Sequence, residues 1–437
     1  MKIKLIIASI VIVGFQAVRV SGQTTTEEKP TIKIGGYIRS ETFYDSHLNI
    51  ETRDGELYYY PKREDLDKAG KDKNALGQFE MLGLQSRIKV AVTGGNAIGA
   101  KVSGMIESDF NGSGDAYKFN LRLRHAIIKL DWEKTQIIMG QYWHPVIISE
   151  LTPNTVLFAS GIVFHPLNRP SQIRVTHTIA PNFKLMAAIA AYAAHRPIEP
   201  SGTNSQRNSS LPEMDIQAQL GKVNSVFFSL TAGYKFLRPY LTTPISKVAV
   251  ASINKDSIFA ATKIVSSYHI SATAGYTTTA FLARAQCTYG ENLTFLNMIG
   301  GYAPIKGSKN EKGEYDYTNM RTISMWTDWE TKGKKVKVGL FAGFSKNLGS
   351  SDSVEFVNKK FDDKLAVNTK TDLCRDADLS VVYRVAPRVY FIQGPIDIGF
   401  EYVLTGANYG TYSGKEIINV KDKSVNHRVL LSVRYTF

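Results

Sequence analysis

The chain has 437 residues, 43% of them hydrophobic, and a formal charge of +14. Spanning helices need runs of roughly 20 apolar residues; only the N-terminal stretch comes near that, so a helical membrane protein is excluded. Two cysteines, Cys287 and Cys374, are too few for a disulfide framework, although they could bond to each other.

The N-terminus reads as a secretory signal over 1–22. Lys2 and Lys4 form a basic start, Leu5 to Ala17 is apolar, and Val20-Ser21-Gly22 has the small-x-small form of a cleavage site. Export turns the basic charge away from nucleic acid and toward anionic lipid headgroups or anionic solutes.

From Thr31 onward the signal is alternation, the period of half-buried strands. In chain order the expected strands lie near 31–44, 82–93, 97–109, 120–132, 135–142, 171–179, 182–194, 213–223, 225–238, 259–274, 277–289, 320–330, 334–345, 377–390, 395–405 and 425–437. The softest boundaries also admit fourteen or eighteen strands in place of about sixteen. The pattern is clearest at the end, where Val429, Leu431, Val433, Tyr435 and Phe437 share one face and Arg428, Ser432, Arg434 and Thr436 the other.

The connections sort into two classes that alternate. Short turns are expected near Gly94-Gly95-Asn96, Glu133-Lys134, Ala180-Pro181, Asn224, Tyr276, Lys332-Gly333 and Gln393-Gly394. Long polar loops are expected near 45–81, 110–119, 143–170, 195–212, 239–258, 290–319, 346–376 and 406–424. A sandwich has no reason to gather every long loop at one end, whereas outer-membrane barrels have short periplasmic turns and long external loops. The expectation is therefore an all-β, antiparallel transmembrane barrel over 23–437, in the bacterial outer membrane. No room is left before the first strand for a plug domain.

An ordered series of short motifs adds a resemblance. Gly36-Tyr37-Ile38-Arg39, Gln85-Ser86-Arg87, Glu107-Ser108-Asp109-Phe110-Asn111-Gly112, Leu121-Arg122-Leu123-Arg124-His125-Ala126 and Gly140-Gln141-Tyr142-Trp143 make the chain resemble the DcaP-like outer-membrane porins, most strongly over about 35–145 and at the last strand. The resemblance implies a sixteen-stranded barrel, a homotrimer, and passive uptake of small solutes with a leaning toward anions. The best-known members of that family carry a helical extension before the barrel, and this chain has none ahead of its first expected strand.

Alternation then assigns a lumen. Arg39, Glu41, Arg87 and Lys89 from the first two strands would face inward, with Lys101, Glu107 and Asp109 from the third, Arg122 and Arg124 from the fourth, and Gln172 and Arg174 from the sixth. The arginines would form a basic ladder on one wall, which in a low-dielectric channel concentrates anions. The alternative is that they pair with Glu41, Glu107 and Asp109 and simply hold the wall. Strand four presents a conflict: strict alternation would put Ile128 and Leu130 on the arginine face unless a bulge intervenes. The loop 143–170 is too apolar for open water and is expected to fold inward as a constriction, with Glu150 facing the ladder, or else to pack a subunit interface.

Rival functions find little support. Neither Gly-x-Ser-x-Gly nor His-Glu-x-x-His occurs. His144 and His165 share a loop without metal spacing, and His125 reads as a wall residue. No cofactor is implied. An outer-membrane hydrolase is the weaker alternative and a plugged binding or adhesin barrel the stronger. For the latter, Tyr58-Tyr59-Tyr60 could meet a partner or could seal the mouth. The expected function is a passive, water-filled channel for small hydrophilic solutes, with a preference for anions, surrounded by outer-membrane lipid and lipopolysaccharide.

Overall fold

The computed structural model describes residues 29–157, 161–192, 204–243, 259–354 and 373–437; the expected leader, 1–22, lies outside them. Sixteen antiparallel strands form the wall. They are β1 (Thr31–Asp45), β2 (Arg87–Ala97), β3 (Ala100–Asp109), β4 (Arg122–Asp131), β5 (Thr135–Gln141), β6 (Ser171–Ala180), β7 (Phe183–Ala191) and β8 (Glu213–Gly221). There follow β9 (Val226–Leu237), β10 (Val265–Thr277), β11 (Phe281–Glu291), β12 (Tyr317–Thr331), β13 (Val336–Ser350), β14 (Leu379–Gln393), β15 (Ile396–Ser413) and β16 (Glu416–Thr436). Each pairs with its neighbours in the chain, and β16 returns to β1 with Ile38 opposite Tyr435 and Tyr44 opposite Val429, so the sheet closes. A short segment, Gln78–Leu82, continues the pairing of β2 along the upper part of β1.

The faces of this sheet are inverted relative to a water-soluble protein. Ile32, Ile34, Ile38, Ile106, Ile216, Val338, Val429 and Tyr435 point outward and are exposed, while Glu41, Gln217, Thr231, Arg384, Arg388, Glu401 and Arg428 point inward and are buried. Only an apolar surround makes such a wall stable: hydrocarbon takes the outer face, and closure supplies the backbone hydrogen bonds that hydrocarbon cannot. Aromatic residues gather near the two ends of the strands. At the short-turn end Tyr276, Phe281 and Trp329 pack in a row, with Phe281 and Trp329 stacked at 6.1 Å. Near the loop end lie Tyr44, Tyr234, Tyr268 and Tyr289. Aromatic girdles at both interfaces are the signature of outer-membrane barrels.

All the expected strands are present, and the differences lie in the connections. Gly94-Gly95-Asn96 is not a turn; it lies within β2 beside a register shift, and the chain reverses at Ile98 and Gly99, whose φ values of 48° and 75° give the paired left-handed residues of a two-residue hairpin. Tyr276 likewise lies inside β10. The expected last loop, 406–424, is mostly strand: β15 and β16 run on as a long ribbon and turn at Gly414-Lys415. Its residues combine polar and β-branched types, which suit a solvated ribbon as well as a loop. Cys287 on β11 and Cys374, before β14, do not form a disulfide with each other.

Three connections enter the lumen. In the first, a small hairpin, Asn49–Thr52 with Leu57–Pro61, buries Tyr58, Tyr59 and Tyr60. Arg384 lies 4.3 Å from the Tyr58 ring centroid and donates to the Tyr59 carbonyl at 2.7 Å. The tyrosine run therefore packs inside the wall. The loop between β5 and β6 crosses the barrel: Gln217 on β8 donates to the Pro145 carbonyl (2.8 Å), Gln286 on β11 to that of Val146 (2.9 Å), and Arg384 on β14 to that of Ile162 (2.6 Å). Its apolar side chains meet glycines on the inner wall: a Cβ would collide with Leu151 at Gly275 and with Phe164 at Gly343, and Val156 lies close against Gly399. The third connection contributes Leu293, Phe295 and Leu296, which join Tyr58, Val156 and Phe164 in one apolar cluster inside the wall. Burying that cluster is what the strand glycines make possible.

Replacing the outward Val433 by arginine should destabilise the barrel by about 2–4 kcal/mol, as cations at the lipid midplane do. Lys89→Ala, on the lumen side, should leave stability nearly unchanged. Equilibrium urea unfolding in phospholipid vesicles checks both; equal losses would mean that the faces are assigned wrongly.

Candidate functional site

The strand-four conflict is resolved by a β-bulge. Glu107 faces His125 and Ser108 faces Leu123, so Arg124 is an extra residue on β4. Leu123 and Ile128 consequently point outward, while Arg122, Arg124 and His125 all turn to the lumen. The bulge sets three polar side chains where strict alternation allows two.

The carboxylates of β3 organise them. Arg122 grips Asp109 through two hydrogen bonds, Nε to Oδ1 at 3.0 Å and Nη2 to Oδ2 at 2.8 Å. Arg124 bridges Glu107 (Nε, 2.7 Å) and Asp109 (Nη1, 2.8 Å). Arg87 reaches Glu107 at 3.5 Å and lies over the Tyr37 ring. Arg39 pairs with Glu41 at 2.9 Å, at some remove from this group. Arg174 has no carboxylate: its Nε donates to Gln172 Oε1 and its Nη2 to the Trp143 carbonyl. Lys89 is exposed on the rung of Glu107, which it faces across the ladder, and Lys101 is exposed beside the short turn at Ile98-Gly99. Glu150 is exposed and accepts from Ser149; no ladder arginine is among its partners. His125 is buried between Tyr142 and Trp143.

Two arginines that alternation does not reveal complete the site, because both come from loops. Arg53 lies in the tip of the entering hairpin, and Arg169 in the last residues of the inward loop. Arg53 Nε donates to the Asn111 carbonyl at 2.6 Å. Arg169 stacks over Trp143 at 5.0 Å, on a ring that Arg124 also approaches at 5.7 Å, and its Nε has no hydrogen-bond partner. Burial, and then the Arg124 and Arg122 guanidiniums, pull the Arg169 pKa well below its ordinary value. These groups surround a cavity of about 40 Å³, room for a few waters, lined by Arg53, Glu56, Gln85, Asn111, Arg122, Arg124, Asn168 and Arg169. The one carboxyl in that lining, Glu56, accepts from Gln85 and Asn111; burial raises its pKa and those hydrogen bonds oppose the rise. Arginine stays charged in proteins, so the cavity wall carries an excess of positive charge.

The far wall is balanced. Asp328 and Glu330 on β12 meet Arg284 on β11 and Arg388 on β14, with Arg388 Nη1 to Asp328 Oδ1 at 2.6 Å and Arg284 Nε to Asp328 Oδ2 at 2.9 Å. Asn154 of the inward loop adds its backbone N–H to Asp328 at 3.1 Å. On β16, Arg428 grips Asp45 at 2.9 and 2.7 Å and packs against Phe43 and Tyr58. These pairs fasten loops to the wall and leave little uncompensated charge. Alternation could have pointed to Arg284, Arg388 and Arg428, since each lies on the polar face of its strand.

No family model matches the chain, and no curated protein sequence matches it. Solved structures do. The outer-membrane channel DcaP of Acinetobacter baumannii superposes with a TM-score of 0.62 at 15% identity, covering 96% of this chain and 100% of that one. OmpT, an outer-membrane protein of Vibrio cholerae, gives 0.51 at 10% identity over 96% of this chain and 99% of its own. Its trimer form gives 0.52 at 12% identity over 93% and 99%. The resemblance read from the motifs at 35–145 is thus matched by likeness in fold along nearly the whole chain. At such identities what is shared is the architecture: a closed, sixteen-stranded antiparallel barrel of the outer-membrane type.

Proposed function

We propose that this chain is an outer-membrane channel through which small hydrophilic solutes diffuse passively, with a preference for anions. The observation that carries the proposal is the charge around the cavity: Arg53, Arg122, Arg124 and Arg169 line it, and Glu56 is the one acid among the lining residues. In this reading the path would run from the cavity past Arg87 and Lys89 toward Lys101, beside the short turn at Ile98-Gly99. The loop between β5 and β6 restricts it. One-sided charge in a low-dielectric channel raises the local concentration of counter-ions, and arginine forks suit carboxylates. Glu107 and Asp109 hold the guanidiniums in place while Arg53, Arg169 and Arg174 supply the surplus. A homotrimer in lipid and lipopolysaccharide, which the resemblance implies, belongs to the same proposal, as does the absence of catalysis.

One observation favours a second reading. The apolar cluster built from three connections occupies much of the lumen, which suits a plugged binding barrel. Conductance separates the two.

Purified full-length protein in a planar bilayer should show steady current and, under a salt gradient, a reversal potential of anion-preferring sign. A unit charge about 8 Å from the path is worth about 0.5 kcal/mol even at the dielectric of water. At low salt, Arg169→Gln should therefore lower the anion-to-cation ratio by roughly fivefold, since one ion is attracted and the other repelled. Current without that preference would end the anion reading, and a folded barrel without current would favour the plugged one.

Asp109→Asn should act in both currencies of the site. It breaks two buried ion pairs and should cost about 3–5 kcal/mol in urea unfolding, while raising anion preference in the same bilayer assay. Unchanged selectivity would show that Arg122 and Arg124 do not face the ion path.

A further inference from the structure

Further round the wall, at β8 and β10, four ligand-type side chains meet away from the cavity. Glu213 and Asp215 lie on β8, His269 on β10, and His144 at the start of the inward loop; all are at most 2% exposed, and their ligand atoms lie within 4.8 Å of one another. The sheet register builds most of the cluster. Asp215 faces Gly233 on β9, and Gly233 faces His269, so the three occupy one rung on the inner face. Gly233 leaves the space: a Cβ there would lie 2.1 Å from His269 Cε1 and 2.4 Å from Asp215 Oδ1. Phe295 covers the group from the lumen, 5.6 Å from the His144 ring and 5.7 Å from that of His269.

The hydrogen bonds divide the four into two kinds. His144 Nδ1 accepts from the Val146 N–H at 3.2 Å, which places its proton on Nε2, and Nε2 donates to Glu213 Oε1 at 3.1 Å. His144 is thus satisfied. Glu213 Oε2, both oxygens of Asp215, and His269 Nε2 are buried without a hydrogen bond. His269 Nε2 and Asp215 Oδ1 stand 3.1 Å apart. Ligands about 2.0–2.1 Å from a tetrahedral zinc stand about 3.3 Å from one another. Two buried carboxylates need compensation. Lys235, next on the inner face of β9, supplies one positive charge, and it also donates to the Asn292 carbonyl at 2.7 Å over the Phe295 ring.

We propose that Glu213, Asp215 and His269 bind a divalent metal ion of the zinc class, with a fourth position left for water, and that His144 orients Glu213 from the outer shell. Imidazole with carboxylates selects borderline ions such as Zn²⁺ over Ca²⁺ or Mg²⁺, which prefer oxygen alone. Through His144 the ion would tie the root of the inward loop to the wall. The proposal does not depend on the channel reading, because its test measures no current.

The full-length barrel, refolded in detergent and stripped with a chelator, is titrated with Co²⁺ alone and then with Zn²⁺. One Co²⁺ per chain is expected, with the intense visible absorption of low-coordinate cobalt, abolished by Zn²⁺. Asp215→Asn and His269→Gln should each weaken Zn²⁺ binding by more than about 100-fold, and His144→Gln by about 10–100-fold, the range for outer-shell losses. The folded band on an unheated gel shows whether each variant has closed. X-ray absorption of the zinc-loaded, unsubstituted chain needs no variant and should show a nitrogen-and-oxygen shell near 2.0–2.1 Å. No bound metal, a shell of water oxygens only, or equal affinity in the folded Asp215 and His269 variants would overturn the proposal and leave a histidine–carboxylate ion pair.

Discussion

Closure of the sheet through β1 and β16 is the constraint from which the rest follows. In hydrocarbon an unpaired backbone N–H or C=O costs several kcal/mol, so a strand wall must have no edge. The Ile38–Tyr435 to Tyr44–Val429 register removes it. Once the wall is closed, alternation has only one outcome: one face meets lipid, and the other must be polar or must be covered. Both happen here. Lys89 and Lys101 stay exposed on the inner faces of β2 and β3, whereas three connections bring their own apolar side chains inside the wall.

Filling a polar lumen with apolar loops creates a problem of polar satisfaction, and the wall's long side chains solve it. Gln217, Gln286 and Arg384 donate to carbonyls of the inward loop as well as to hydroxyls of the wall. Buried backbone needs such partners wherever it leaves regular structure. The same side chains could serve a solvated pore, so a polar inner face is compatible with both an open and a filled section of one barrel.

The strands were legible because membrane strands carry their period in the composition of each residue pair, and no tertiary partner can override it. The boundary errors have local causes. Gly94-Gly95-Asn96 resembles a turn, but glycine within a strand also marks a bulge, and the left-handed pair at Ile98-Gly99 uses a β-branched residue that turn statistics disfavour. The 406–424 ribbon reads as loop because both of its faces are mixed. For the site, alternation placed Arg39, Arg87 and Arg174 on the inner face, and the Arg122–Ile128 conflict itself signalled the bulge. Arg53 and Arg169 were not legible, since loop residues have no period to place them. Nor was the Glu213, Asp215 and His269 group: three strands bring it together, and only their register shows that Gly233 leaves room for an imidazole.

The two walls then allow an argument from charge alone. On the far wall Arg284 and Arg388 are set against Asp328 and Glu330, and each guanidinium has a carboxylate. That arrangement is what fastening a loop requires. On the near wall Arg87, Arg122 and Arg124 share Glu107 and Asp109; Arg53 and Arg169 come in from loops, the Arg53 guanidinium donating to the Asn111 and Gly112 carbonyls while its backbone N–H donates to the Asp115 carboxylate, and Arg169 Nε having no hydrogen-bond partner. Holding the fold does not call for that surplus, since like charges crowded in a buried space destabilise it. Stability traded away at one place in a wall that is elsewhere balanced is the pattern of a functional site. Under the function proposed above, an anion passing through the cavity would relieve it.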